Sequence, residues 1–325
     1  MSPAAIDAVL LIAFGGPTAP SEIRPFLEIV TRGRGVPAER LEEVARHYER
    51  MPGGRSPLGA LTLAQARALE RELAQSGMPL PVFVGMRNWH PFLHETLADM
   101  TARGVKRALG IILSPLRTEA SWERYQQDVT DARAKVDGAP EVTFARAWYD
   151  HPRFIEAVAD RARAALAEIP PAVRVRSPLV FTAHSVPVAM ADASPYVADL
   201  TAAARAVAER LGHQRWSLAY QSRSGSPRDP WLEPDIGDAL KRLAANGERH
   251  AVVVPIGFVC DHVEVLYDLD VEATDRARAR GLTVHRAPAV NAHPRFIEAL
   301  AEIVTEPRPA HGTPPSPRAD LSQSQ

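Results

Sequence analysis

Four acidic residues in the segment 257–275, GFVCDHVEVLYDLDVEATD, are spaced so that they could act together. If this segment is a helix, steps of four, four and three residues place one set of carboxylates on a single face: Glu264, Asp268, Glu272 and Asp275. Like charges at these spacings repel each other, so this face either lies in water or handles a cation. Glu264 also has a simpler role open to it, because Asp261 three residues earlier forms a capping-box-like pair with it.

His184 is a second candidate for chemistry, in the sequence TAHSVP. It ends the apolar run LVFTAH, and α/β proteins place ligand-facing groups just where their strands end. An imidazole can serve there as a base or as a metal ligand. A histidine that only hydrogen-bonds locally is an equally good interpretation of this position. Ser185 lacks the flanking glycines of a nucleophile elbow, so a serine hydrolase is not predicted.

Short apolar runs alternate with longer amphipathic ones along the chain. The predicted strands are VLLIAF, PVFVGM, RALGIIL, EVTFARAW, SPLVFTAH, WSLAYQS, HAVVVPIGF and LTVHRAP. Such near-continuous apolar runs are typical of strands buried on both faces of a parallel sheet. Helices are predicted between them, including a single helix over 262–281. The alternation predicts an α/β fold made of two Rossmann-like, doubly wound domains.

The chain matches itself in two places. HPRFIEA occurs at 151–157 and again at 293–299. A looser match pairs VLLIAFGGP with LVFTAHSVP and sets Phe14 opposite His184. We infer two halves related by internal duplication. The polar residues His184 and Glu264 belong to one half only, and this favours a site over a scaffold role.

The number of residues between the two HPRFIEA copies differs from the number between VLLIAFGGP and LVFTAHSVP. The first half therefore contains extra residues between its two matched segments. We place this insertion near 25–60 and predict a joint at the Pro-Pro pair 170–171. Both HPRFIEA copies are predicted to begin helices, with Asp150 or Asn291 as the capping residue. The domains expected are 1–172 with the insertion, 173–305 with the candidate site, and a disordered proline-rich tail over 306–325.

Composition excludes several classes of protein. The net charge of −1 gives no basic field, so no nucleic-acid partner is predicted. The single cysteine, Cys260, cannot form an internal disulfide or a four-cysteine cluster, and we interpret it as a packing residue. No stretch approaches the roughly 18 apolar residues of a membrane helix, and the first apolar run lacks a basic leader. We therefore expect a soluble cytoplasmic protein, and we expect it to be monomeric.

Three motifs far apart in the chain, TAHSVP, YQSRSGSPRDPWLEPD and VPIGFVCDHVEVLYDLD, together resemble the ferrochelatases. AFGGP, TRGRGVP, GGRSPL and VGMRNWHPF extend this resemblance over roughly residues 8–303. The resemblance is specific because the motifs agree in order and spacing. It implies a chelatase-like pair of Rossmann-like domains whose cleft serves haem biosynthesis by inserting Fe(II) into a porphyrin. The invariant histidine and glutamate of the family fall on His184 and Glu264.

These residue types suit the implied reaction. Metallation releases two pyrrole protons, and a base with a pKa near neutrality accepts them readily. His184 is the candidate for this base or for a metal contact, and Glu264 for an iron ligand, with Asp268 and Glu272 as an outer relay. Iron must be held weakly enough to be handed on. Which of the two residues takes the protons and which holds the iron stays open. We expect no resident cofactor, because Fe(II) is a substrate of the implied reaction.

The insertion corresponds to the porphyrin lip of this family. The lip is strongly apolar in protoporphyrin-using members, whereas the segment 26–56 is charged here. TRGRGVP resembles the coproporphyrin ferrochelatases of Gram-positive bacteria, and cationic side chains suit the four propionates of coproporphyrin III. A solvated basic loop would have the same composition. The candidate substrate contacts are Phe14, Arg32, Arg34, His47, Tyr48, Ser56 and Tyr125.

Several alternatives stay open. The favoured product is coprohaem, and insertion into protoporphyrin IX to give protohaem is the first alternative. A non-catalytic tetrapyrrole or metal carrier and a cobalt or nickel chelatase are the others. Phe14 stands where Firmicute members have a tyrosine that ligates the product iron, so this axial contact is lost. Actinobacterial members usually carry a four-cysteine iron–sulfur site, and none is expected here.

Overall fold

The computed structural model describes residues 6–33, 35–224 and 228–306. Arg34 and residues 307–325 of the predicted tail lie outside these ranges. The described residues form eight strands: β1 Ala8–Ala13, β2 Val82–Met86, β3 Arg107–Ile112, β4 Glu141–Phe144, β5 Leu179–His184, β6 Trp216–Gln221, β7 His250–Val254 and β8 Thr283–Arg286. Every run predicted to be a strand overlaps one of them, although β1 begins one residue before its predicted run.

The strands form two parallel four-stranded sheets of the same topology. The first has the order β2-β1-β3-β4 and the second the order β6-β5-β7-β8. Val9 pairs with both Val82 and Leu109, and Leu179 pairs with both Trp216 and Val252. The predicted fold of two Rossmann-like units is confirmed. In each unit the central pair of strands, β1 and β3 or β5 and β7, points its carboxyl ends toward the crevice where such folds bind ligands.

Helices and turns connect the strands. The helices of the first half are α1 Ile23–Thr31, α2 Ala38–Glu49, α3 Leu58–Gln75, α4 Leu93–Ala102, α5 Arg124–Arg133 and α6 Pro152–Ala167. Those that follow are α7 Pro171–Arg174, α8 Val188–Asp192, α9 Tyr196–Leu211, α10 Ile236–Ala245, α11 Val263–Leu266, α12 Thr274–Arg278 and α13 Pro294–Thr305. None of the helices in the described ranges is long and apolar enough to cross a membrane.

The single helix predicted over 262–281 is wrong. The segment forms α11, then the π-helix Asp268–Ala273, then α12. The backbone N–H of Glu272 donates to the carbonyl of Tyr267 at 3.0 Å, which is the i to i+5 bond of a widened turn. A second π-helix, Glu119–Glu123, precedes α5 in the first half. The apolar pattern of the sequence could not reveal either π-helix, because one extra residue in a single turn changes the helical period only locally.

Three predicted caps are also wrong. His151 and His293 cap α6 and α13, each accepting a hydrogen bond from the backbone N–H two residues later. Asp150 and Asn291 do not take this role. The capping box of Asp261 with Glu264 is absent as well, because α11 is preceded by His262, which makes no side-chain cap bond.

One large core lies between the two sheets and joins the halves. The helix α13 from the end of the second half packs against α3 and α6 of the first. Trp148, Phe154 and Phe296 form an aromatic cluster there, with ring centroids 5.1 to 6.1 Å apart. All three rings are buried. The domain limits 1–172 and 173–305 stay a prediction, since this core belongs to both.

We expect loss of one ring from this cluster to destabilise the whole chain. Phe296 is fully buried, so Phe296→Ala removes its burial energy and leaves a cavity that costs about 3–5 kcal/mol. Urea unfolding followed by tryptophan fluorescence measures the loss. Leu63→Ala in α3 is the control, because Leu63 is 40% exposed and its truncation should change the free energy of unfolding by less than about 0.5 kcal/mol. Equal effects of the two substitutions would contradict the shared core.

Candidate active site

His184 ends β5, at the edge of the sheet where the fold binds ligands. Its backbone carbonyl accepts a hydrogen bond of 2.8 Å from the hydroxyl of Tyr196 in α9. Its Nδ1 lies 2.5 Å from the carbonyl oxygen of Ser185. Because a carbonyl oxygen only accepts, Nδ1 carries the hydrogen and donates it. In the neutral imidazole, Nε2 is then left with a free lone pair.

Glu264 reaches His184 because the loop after β7 passes close to β5. Gly257 donates its backbone N–H to the carbonyl of Thr182 at 3.0 Å. A Cβ on Gly257 would lie 2.8 Å from the Cα of Ala183, so no larger residue fits without a shift of the loop. Gln221 at the end of β6 donates to the backbone carbonyl of Glu264 at 2.5 Å. The ends of three adjacent strands therefore fix where α11 begins.

Three groups that can each bind a proton or a cation converge at this point. The Nε2 of His184 lies 3.8 Å from Oε1 of Glu264, and the Nε2 of His262 lies 4.0 Å from Oε2 of the same carboxylate. Burial lowers the pKa of His262, which favours its neutral form. An imidazole nitrogen and a carboxylate oxygen at such a distance can share a proton or a divalent cation between them. No group of three or more His, Cys, Asp or Glu residues in the described part of the chain is arranged closely enough to hold a metal ion.

A cavity of about 420 Å³ is lined by Glu264 and four other acidic residues, and also by Arg40, Arg223 and Arg276; we call it the acidic cavity. Its acidic lining includes Asp268, Glu272, which pairs with Arg276, and Asp235 from the start of α10. Burial raises the pKa of Asp268 to about 7, although a hydrogen bond from the hydroxyl of Ser222 favours the charged form. Asp275 is not among the lining residues and pairs instead with Arg278 at 2.9 Å. Of the four carboxylates predicted to share one helix face, three therefore line this cavity.

The lip closes the opposite side of this cavity. Helices α1 and α2 pack on each other through a small apolar cluster that includes Phe26, Tyr48 and Trp89. The ring of His47 stacks on Tyr267 with centroids 3.7 Å apart and planes 13° apart. Arg50 donates to the hydroxyl of Tyr267 at 3.3 Å. The lip thus touches the second half directly, and His47 and Tyr48 both line the acidic cavity.

A second cavity of about 430 Å³ lies between the end of α1 and the helices α4 and α5. Its lining includes the cations Arg32, Arg87 and Lys135. Arg87 forms an ion pair with Asp128 and lies over the ring of Tyr125, with its guanidinium carbon 4.4 Å from the centroid. Tyr125 is buried, and its burial raises the pKa of its phenol. Arg32 and Tyr125 therefore belong to this region, whereas His47 and Tyr48 belong to the acidic one.

Two of the remaining candidates lie at the loop after β1. Phe14 is 38% exposed and contacts Phe26 edge to face, with centroids 6.3 Å apart. Ser56 is buried behind this loop, where its Oγ accepts a bond from the backbone N–H of Leu58 at 3.3 Å. A Cβ on Gly16 would lie 2.7 Å from that oxygen. Arg34 lies outside the described residues.

Comparison with known proteins decides the family. The model of the ferrochelatase family matches residues 6–308. The chain belongs to the ferrochelatase family. It is 47% identical over 311 residues to the coproporphyrin III ferrochelatase of Nocardia farcinica, covering 93% of this chain and 88% of that one. It is 44% identical over 313 residues to the protein of the same name from Mycolicibacterium smegmatis, covering 95% and 91%.

Among solved structures, the ferrochelatase fold of this chain resembles SirB from Bacillus subtilis with Fe3+. The TM-score is 0.55 at 10% identity, over 92% of this chain and 94% of that one. At this identity the likeness concerns the fold alone. The predicted ferrochelatase family and enzyme class are confirmed by the family match and the curated relatives.

Several residues near the candidate site were not predicted from the sequence. His262 was passed over although it lies two residues before Glu264 in the same motif. Gln221 and Ser222 stand at the end of β6 and could have been found by asking which side chains follow each strand of the second sheet. Arg87 follows β2 and could have been found in the same way.

The raised pKa of Asp268 predicts how stability depends on pH. The carboxyl titrates near 3.8 in the unfolded chain and near 7 in the folded protein. Between these values the folded protein keeps a proton that the unfolded chain has released, so this group lowers the free energy of unfolding as the pH rises. Asp268→Asn removes this loss. We expect the variant to gain stability relative to wild type between roughly pH 5 and pH 8, measured by urea unfolding.

Asp275→Asn is the matched control for that measurement. It removes one exposed carboxylate from the neighbouring helix α12, so it separates a general charge effect from burial of Asp268. The pH-dependent gain should be confined to Asp268→Asn. The same gain in both variants would contradict the assignment to Asp268.

Proposed function

We propose that this ferrochelatase inserts Fe(II) into coproporphyrin III, giving coprohaem and releasing two protons. The observation that carries the proposal is the convergence of His184 and Glu264, which come from different strand ends and face each other across 3.8 Å. A base and a carboxylate so placed match the two needs of the reaction. Pyrrole protons must leave, and a dication must arrive.

His184 is proposed as the proton acceptor. Its Nδ1 is committed to the carbonyl of Ser185, so its Nε2 is the atom with a free lone pair. Glu264 then has two roles. It stabilises the imidazolium that forms, and it offers an oxygen ligand to the entering iron. Neutral His262 at the second oxygen can support the same carboxylate.

Iron is proposed to approach through the acidic cavity. Asp268 and Glu272 line it together with Glu264 and lie about one turn apart in the π-helix, where Glu272 also pairs with Arg276. Oxygen ligands bind divalent iron more weakly than imidazole or thiolate sets do, so the ion can move on to the macrocycle. Because the pKa of Asp268 is about 7, this carboxyl carries a proton for part of the time near neutral pH, and an arriving cation displaces that proton.

The substrate is assigned from the charge of the lip and from the relatives. Both relatives named above are coproporphyrin III ferrochelatases. Arg32 and Lys135 line the cavity beside Tyr125, and cations there can pair with propionates at the edge of a macrocycle, whereas Arg87 is already paired with Asp128. Phe14 offers an exposed ring but no donor atom, so it can contact the macrocycle and cannot ligate its iron.

The proposal includes no resident cofactor. The one cysteine, Cys260, is buried, and burial raises the pKa of its thiol to about 12, so it is held as a neutral packing group. Four thiolates for an iron–sulfur cluster cannot come from this chain alone. A cytoplasmic location and a monomeric state are also part of the proposal.

The test is anaerobic metallation, followed by absorbance, with coproporphyrin III and protoporphyrin IX offered separately. We expect wild type to metallate coproporphyrin III faster. His184→Ala and Glu264→Ala should each lower kcat about 10²–10⁴-fold, because each removes a group that acts on a proton or on the ion during reaction. Glu70→Ala, which removes an exposed carboxylate from α3, is the control and should behave as wild type.

Three other outcomes are informative. Faster use of protoporphyrin IX would overturn the substrate assignment and leave the site intact. Binding of both porphyrins without metallation would favour the carrier. Efficient use of cobalt or nickel in place of iron would favour a chelatase of another metal.

Arg32→Ala tests the substrate assignment from the side of the protein. Loss of one charge-assisted contact, about 1.5–3 kcal/mol, should raise the KM for coproporphyrin III at least tenfold and leave kcat nearly unchanged. Steady-state kinetics at saturating iron measures this. Arg67→Ala in α3 is the matched control, because Arg67 is exposed and lines neither cavity. An unchanged KM would exclude Arg32 as a propionate contact.

A further inference from the structure

Arg286, the last residue of β8, lies between two carboxylates and is only 15% exposed in its side chain. Its NH1 donates to Oδ1 of Asp261 at 2.8 Å. Its NH2 donates to Oδ2 of Asp270 at 2.9 Å, and its Nε donates to the other oxygen of the same carboxylate. One guanidinium therefore makes a two-point contact with Asp270 and a third bond to Asp261.

The two carboxylates stand on either side of Glu264 in the chain. Asp261 lies in the loop before α11, and Asp270 lies in the π-helix after it. Asp261 is held further by the amide of Asn291 at 2.7 Å and by the backbone N–H of Ala289 at 3.1 Å. Asn291 accepts in return from the backbone N–H of Asp261 at 2.9 Å. Both ends of the segment with Glu264 are thus tied to the end of β8.

Among the described residues of the first half, the matching positions form no arginine clamp of this kind. In the register of the HPRFIEA repeat, Arg286 falls on Phe144 and Asp261 falls on Glu119. Asp270 falls on Asp128, whose ion pair is made by Arg87 from the end of β2. That half still forms β4, a π-helix and α5. The clamp is therefore not a requirement of the fold, and it occurs in the half that carries Glu264.

We propose that Arg286 is a positioning residue, which holds the carboxylate of Glu264 at the distance from His184 that metal insertion requires. The proposal rests on the role of Glu264 proposed above. Arg286 touches neither His184 nor Glu264 and acts through the backbone between Asp261 and Asp270. Partners that orient a metal-binding group in this way are worth roughly 10- to 100-fold in affinity or activity.

Three substitutions test the clamp. Arg286→Met removes all of its bonds, Asp270→Asn removes the charge of one partner, and Arg286→Lys keeps the charge but can reach only one carboxylate at a time. We expect Arg286→Met and Asp270→Asn to raise the KM for Fe(II) roughly 10- to 100-fold, with an intermediate rise for Arg286→Lys. The KM for coproporphyrin III should stay at the wild-type value in all three.

Asp7→Asn is the matched control. Asp7 also ties a strand end, accepting from the backbone N–H groups of Lys106 and Arg107 at 3.0 and 2.8 Å, but it lies before β1, at the amino end of the first sheet. We expect it to lower the melting temperature without changing either KM. If Arg286→Met is unstable, Asp270→Asn and Arg286→Lys carry the test.

The outcomes separate the clamp from the function on which it depends. If Glu264→Gln leaves the KM for Fe(II) and kcat unchanged, the proposed role of Glu264 fails, and the clamp fails with it. If Glu264→Gln is impaired but the Arg286 and Asp270 variants keep the wild-type KM for Fe(II), only the clamp is overturned. An equal rise in the KM for both substrates would also overturn it, because general loosening of the cleft predicts that result.

Discussion

The site depends on one electrostatic constraint, which is that several carboxylates and two imidazoles are held close together at the edge of a buried sheet. Glu264 faces His184 and His262 at 3.8 and 4.0 Å, and Asp268 follows it in the same cavity. Charges kept this close and partly out of water repel one another unless protons or cations are shared among them. Burial is the main cause of both pKa shifts at the site: it lowers the pKa of His262 and raises that of Asp268, to which the charges of Glu264 and Glu272 add. Arg40, Arg223 and Arg276 line the same cavity, and Arg276 pairs with Glu272, so arginines offset part of this negative charge.

Internal duplication explains how the cleft acquires two different walls. The two sheets share one strand order, so the carboxyl ends of β1 and β5 occupy equivalent places. Phe14 follows β1, whereas His184 ends β5, and Trp122 stands at the position of Glu264. Phe14 therefore offers an exposed ring, which suits the face of a flat apolar macrocycle, whereas the Trp122 ring is buried in the core of the first half. The second half presents bases and carboxylates, which suit protons and iron.

Most of the fold follows from the sequence. Eight apolar runs predicted eight strands, and the run LVFTAH placed His184 at a strand end, where the structure has it; its role toward a ligand stays a prediction. What failed depends on contacts distant in sequence. The turn of α11 into a π-helix depends on the packing of its neighbours, and the caps of α6 and α13 come from His151 and His293 rather than from the better capping types. The pairing of Arg286 with Asp261 could not be predicted, because nothing in the sequence says which acid a distant arginine will meet.

The pKa of Asp268 bears on how the iron route proposed above would release the ion. A carboxylate that is fully charged near neutral pH would hold a dication strongly together with Glu264 and Glu272, and tight binding would compete with transfer to the macrocycle. Because Asp268 titrates near 7, a cation that reaches it displaces a proton about half of the time at that pH, and this cost weakens binding. When the cation moves on to Glu264, Asp268 can take a proton again. Ser222 limits this effect, because its hydrogen bond favours the charged carboxylate. Burial and the neighbouring carboxylates thus raise the pKa of Asp268 while the Ser222 hydroxyl lowers it, and on the proposed route this balance sets the charge that Asp268 offers to a cation.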